Sequence, residues 1–69
     1  MKEKLKILRK NIKADFWLVV LDDYEMIYSN VCTLSPQSVL VIANLGLTID
    51  TYMRGYGSPC LRFFDKQPF

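Results

Sequence analysis

The spacing of apolar positions divides the chain into a series of short elements. From Lys2 to Lys13, Leu5, Leu8 and Ile12 recur at the i, i+3, i+7 interval of one helical face, while Lys2, Lys6, Arg9, Lys10 and Lys13 fill the remaining arc. A basic amphipathic helix over residues 1–13 is therefore expected. So few apolar residues do not hold a short helix together in water, so it must dock on the body or on a partner. Phe16–Leu21 is a run of apolar residues with two aromatics and two valines, which is strand chemistry. Phe16, Leu18 and Val20 point one way and Trp17, Val19 and Leu21 the other. Because both faces are apolar, the strand is expected to be covered on both sides, by a helix on one and by a helix or a second subunit on the other. Asp22 and Asp23 interrupt the run with turn-forming side chains, and Tyr24–Thr33 resumes the alternation, so residues 16–33 read as an antiparallel β-hairpin. A tip without glycine predicts a type I turn in a longer loop rather than a two-residue primed turn.

Ser35 has the chemistry of a helix N-cap, Pro36 fits the first helical position, and Leu34 can staple to Val39. Ile42, Leu45, Ile49, Tyr52 and Met53 then follow a helical stripe, which predicts a helix over residues 36–54. Gly55 stands where a left-handed C-cap belongs, Pro59 opposes continuation, and Asp50 and Arg54 form an i, i+4 pair. Gly46 inside such a helix costs about 1 kcal/mol against alanine, which points to a close approach there. Leu40 and Leu47 fall on the opposite side of this helix and are candidate contact positions. Gly57-Ser58-Pro59 reads as a turn and residues 60–64 as a third strand, with Leu61 and Phe63 toward the core and Arg62 toward solvent. Phe69 ends a loose tail that it can anchor by burying its ring. The expected fold class is α+β: an N-terminal basic helix and an antiparallel hairpin, with a third strand from the C-terminal tail, packed against one central helix in a single small domain, residues 1–69.

Composition adds a constraint on size. At 69 residues the chain is one domain, and at 51% hydrophobic and 13% aromatic it is too apolar for disorder. A domain of about 60 residues hides only about 60% of its unfolded surface, so a homodimer is expected as the additional staple. The net charge of +2 is a remainder: residues 1–13 carry +5 and the rest carries −3. Such asymmetry suits a polyanion partner or self-complementary packing between protomers.

Candidate chemistry is sparse. The chain has no histidine, which removes the commonest general base and metal ligand. Cys32 and Cys60 form no C-x-x-C pair and read as small buried hydrophobes. Residues 1–13 are not followed by a signal-type apolar region, so a reducing, cytoplasmic location is expected. Gly46, Gly55 and Gly57 make no phosphate loop, and Asp22, Asp23 and Glu25 read as an acidic turn rather than a cation site. Neither enzymatic activity nor a cofactor or metal is expected. No charge lies between Glu25 and Asp50, a length that could span a bilayer, but Ser29, Asn30, Thr33, Gln37 and Asn44 interrupt it, so no membrane span is expected. Nucleic acid, if bound, would be held through residues 1–13 by phosphate-led, salt-sensitive contacts, since the aromatics begin only after the basic run.

The strand Phe16-Trp17-Leu18-Val19-Val20, the Asp22-Asp23 turn, a second strand and Leu34-Ser35-Pro36 opening a helix resemble short proteins encoded by bacteriophages and prophages, over roughly half the chain. The resemblance implies a binding role in a virus–host setting, for instance a phage-type inhibitor of a host defence protein, anti-CRISPR-like, working by steric occlusion in the host cytoplasm. No functional residues carry over from it. The expected function is a non-enzymatic protein-binding module; a basic-arm nucleic-acid binder and a structural homodimerisation module are the alternatives. The candidate partner-binding residues are Lys6, Arg9, Lys10, Lys13, Leu40, Leu47 and Tyr56, a set combining basic, apolar and aromatic contacts.

Overall fold

Leu5 and Leu8 bury one face of the first helix, α1 (Lys2–Asn11), as their spacing dictates. The helix stops two residues earlier than expected. Ile12 is already extended (φ −126°, ψ 123°), and its N–H closes the last turn on the Leu8 carbonyl at 2.8 Å. Arg9 then donates from Nη2 to the Phe16 carbonyl at 2.7 Å, which ties the end of the helix to the start of the first strand. The structure, a computed structural model, describes residues 1–22, 24–55 and 57–65.

Strands β1 (Phe16–Leu21) and β2 (Tyr24–Ser29) form the expected hairpin with two corrections. Leu21 pairs with Tyr24, so two residues join the strands rather than a longer loop. The hairpin also ends at Ser29 and not at Thr33. There the Ser29 hydroxyl donates to the Leu61 carbonyl at 2.7 Å and accepts the Val31 N–H at 3.2 Å, a side-chain competition that takes the backbone out of the ladder.

The second helix, α2 (Pro36–Asn44), opens as its cap requires: the Ser35 hydroxyl accepts the Ser38 N–H at 3.2 Å, with Pro36 in the first turn. Leu34 packs against the core, and Val39 is exposed. The largest correction concerns the C-terminal end. No helix runs over residues 36–54; α2 ends at Asn44, and residues Leu47–Arg54 form strand β3. Gly46 adopts φ +72°, a left-handed conformation that terminates a helix and that glycine alone enters without a side-chain penalty. Beyond it, Thr48, Ile49, Thr51 and Tyr52 favour a pleated strand. Asp50 consequently lies on a strand, where it faces Arg62 across the sheet, and not on the helix that the i, i+4 spacing to Arg54 presupposes. Gly55 lies in the β3–β4 connection rather than at a helix cap, and Ser58 and Pro59 belong to β4 (Ser58–Asp65), which is longer than the expected strand at residues 60–64.

The protein is thus α+β, the described residues forming two helices and a four-stranded antiparallel sheet of order β1-β2-β4-β3. One sheet face meets both helices. Phe16, Ile27, Leu47 and Phe63 pack there against Leu5, Leu8 and Ile42, with Leu18 and Leu61 at the margin, as the alternation of β1 and β4 predicts. The Phe16 and Phe63 rings lie 6.2 Å apart. Two ion pairs pin the start of α1 to the sheet, the Met1 amino group with Glu25 at 3.4 Å and Lys4 with Asp65. Because both helices sit on this side, β1 is helix-covered on one face, as expected, and no second helix among the described residues covers the other.

Candidate functional site

The other sheet face carries the side chains that alternation directs away from the helices. Its central row crosses every strand: Trp17 pairs with Tyr28, Tyr28 with Arg62, and Arg62 with Asp50. A second row runs Val19, Met26, Phe64 and Thr48 by the same pairings. Leu21 and Tyr24 close it at the hairpin tip, both exposed, the tyrosine at 48%. Neither helix packs on this surface, since the residues that α1 and α2 bury all meet the opposite face.

The rings on the open face form a chain of contacts. Trp17 and Tyr28 have centroids 6.4 Å apart, and Tyr28 meets Tyr52 edge-on at 4.7 Å. The Tyr52 hydroxyl donates to the Ser29 carbonyl at 2.6 Å, which fixes its ring over the end of β2. Arg62 lies 5.9 Å from the centroid of the Tyr28 ring, within cation–π range. It donates from Nη1 to the Tyr28 hydroxyl at 3.2 Å, and from Nε and Nη2 to Asp50 Oδ2 at 2.9 and 2.7 Å. The Arg62 hydrogen bond is the main reason the Asp50 carboxyl titrates below its ordinary value, and the N–H of Thr51, donated to Oδ1 at 2.8 Å, lowers it further. Asp50 and Tyr28 in turn raise the Arg62 pKa. Both groups therefore hold fixed charges near neutral pH, suited to binding by charge and shape rather than to moving a proton. The surface as a whole is an apolar, aromatic plane with one pre-ordered guanidinium near its middle.

The residues singled out from the sequence do not gather on this plane. Lys6, Arg9 and Lys10 belong to α1 and Lys13 to the link beyond it, all exposed and in the helical layer. Lys6 pairs with Glu3 at 4.0 Å, and Arg9 is occupied at the Phe16 carbonyl. Leu40 is 62% exposed on α2, but Leu47 is 8% exposed because it lies on β3 and points into the core. The helical spacing puts it on an outer side only if the helix continues past Gly46, and α2 ends before that residue. Tyr56 and Phe69 lie outside the described residues, as does Asp23 of the acidic turn. Cys60 is buried, but Cys32 is exposed, so the small-hydrophobe reading fits only one of them. Among the described residues no cluster of three or more cysteines and carboxylates is placed to hold a metal ion. Nor is any helix among them long and apolar enough to cross a membrane.

Sequence reasoning missed the row Trp17–Tyr28–Arg62–Asp50 as a unit. The alternation of β1, β2 and β4 already puts Trp17, Tyr28 and Arg62 on one side, but Asp50 and Tyr52 join them only once residues 47–54 are a strand. No family model matches the chain, and no curated protein or solved structure matches it.

Proposed function

We propose that this protein is a non-enzymatic protein-binding module whose contact surface is the helix-free face of its sheet. The observation carrying this reading is the row Trp17–Tyr28–Arg62–Asp50 with the apolar positions Val19, Leu21 and Phe64 beside it. Tryptophan, tyrosine and arginine are the residue types that most often dominate binding energy, and here they are held by one another in fixed positions. A plane that is already ordered loses little conformational freedom when covered. In its most specific form the module is a phage-type inhibitor in a host cytoplasm, occluding the functional surface of a defence protein.

The test compares retention of partners from a host lysate by the wild type and by variants on two surfaces. Trp17→Ala and Tyr24→Ser on the sheet face abolish retention, while Leu40→Ser on α2 leaves it unchanged. Equal retention by all three variants overturns the assignment of the surface. A second reading, phosphate-led nucleic-acid binding, is favoured by the exposure of Lys2, Lys6, Lys10 and Lys13. It requires binding to generic DNA that weakens steeply with salt, and no binding at low salt excludes it.

A further inference from the structure

The sheet has two outer strands, β1 and β3, and their edges differ chemically. An open edge presents unpaired backbone groups and is a template for another strand unless it is blunted. The β3 edge is blunted: it carries Asp50, and the Asp50 carboxylate takes the N–H of Thr51. On the β1 edge a side chain takes a backbone group at the first residue, Phe16, whose carbonyl accepts from Arg9, but Phe16–Leu21 itself contains no charge, proline or glycine. Its backbone phase follows from two hydrogen bonds. The Asp15 carbonyl accepts from Asn30 N–H on the β2 side at 3.3 Å, whereas the Phe16 carbonyl accepts from Arg9. Alternation then turns the N–H and C=O groups of Leu18 and Val20 away from β2. The Val20 side chain is also 67% exposed.

We propose that this edge is a self-pairing site, at which β1 adds antiparallel to β1 of a second copy about a two-fold axis through Val19. In that register the outward-facing residues meet, Leu18 opposite Val20 of the partner subunit and the reverse, and each pair exchanges both backbone hydrogen bonds. On the open face Trp17 stands opposite Leu21 of the partner subunit, an aromatic–aliphatic cross-strand pair. Phe16 stands opposite Asp22 of the partner subunit, which brings a carboxylate to the place where Arg9 already sits on the Phe16 carbonyl. The basic arm of each copy thus meets the acidic hairpin tip of the other, a complementarity that selects a second copy over an unrelated strand. The two open faces merge into one surface. This pairing does not rest on the protein-binding reading above, and it is read on the purified protein without any other partner.

Sedimentation velocity at high micromolar concentration should show a dimer. Val20→Pro deletes an outward N–H in each copy without touching the β1–β2 ladder, and two lost hydrogen bonds raise the dissociation constant about thirtyfold. Asp22→Lys weakens the dimer through its charge alone. In a Cys32→Ser background, Val19→Cys places two thiols on the axis at a non-hydrogen-bonded pair, close enough for a disulfide, so mild oxidation yields a covalent dimer; Thr51→Cys on the β3 edge does not. A wild type that remains monomeric overturns the proposal. So does a dimer in which Val19→Cys cross-links no faster than Thr51→Cys, a comparison that decides the matter even if Val20→Pro does not fold.

Discussion

The Asp50 carboxylate engages both of its oxygens within the sheet, Oδ2 with two nitrogens of Arg62 and Oδ1 with the N–H of Thr51. Every one of these bonds favours the charged form, so the folded-state pKa lies below the ordinary value of 3.8. The linkage has one sign. The contribution is complete above the ordinary value, declines as pH falls below it, and is gone once pH passes under the depressed folded-state value. Asp50→Asn should therefore flatten the acid limb of the stability curve while leaving its neutral and basic limbs parallel to wild type. Urea midpoints measured across the acid range check this, and an unchanged acid limb would count against the pairing. The same substitution removes one end of the row on the open face. Arg62 then keeps Tyr28 as its partner but loses the carboxylate that orients it.

At the scale of elements, Gly46 decides whether residues 47–54 continue a helix or begin a strand. Ile42, Leu45, Ile49 and Met53 satisfy a helical interval, and Leu47, Ile49, Thr51 and Met53 satisfy strand alternation through the same stretch. Periodicity is ambiguous there, and tertiary pairing with β4 settles it. The legible elements are those whose signals are local. The Ser35 cap, the apolar run of β1 and the Leu5–Leu8 stripe require nothing distant, and each element lies where those residues put it. Leu61 and Phe63 were also legible, as alternating apolar positions flanking Arg62. What was not legible is the open face as a whole, because Asp50 and Tyr52 reach it only through a strand that the helical stripe disguised. A glycine following nine helical residues was the available signal. Gly46→Ala should destabilise the protein by about 1 kcal/mol, since a Cβ at that position meets nothing within 4 Å and the backbone conformation is the only penalty. D-alanine at the same position, introduced by chemical synthesis, should restore or exceed wild-type stability in urea denaturation. Loss of stability with both enantiomers would point to a steric cause instead.

For the molecule as a whole, the two sheet faces divide the work of folding from the work of contact. Phe63 is the largest fully buried side chain among the described residues, with Ile27 and Ile49 beside it on the neighbouring strands and Phe16 nearby. Truncating a buried phenylalanine to alanine costs about 3–5 kcal/mol. A domain of 69 residues, at roughly 0.05–0.15 kcal/mol per residue, has a total stability of about 3–10 kcal/mol to set against that loss. Phe63→Ala should therefore remove from about a third to all of the stability of the fold. Tyr24 has comparable bulk, but it sits at the hairpin tip of the open face with half its surface in water. Tyr24→Ser should shift stability by no more than about 0.5 kcal/mol, and any effect it has on partner binding is then an effect on contact and not on folding. Chemical denaturation of the two variants, followed by Trp17 fluorescence, measures the division directly. A destabilisation by Tyr24→Ser approaching that of Phe63→Ala would mean that the aromatic plane holds the monomer together, and its role as a binding surface would have to be abandoned.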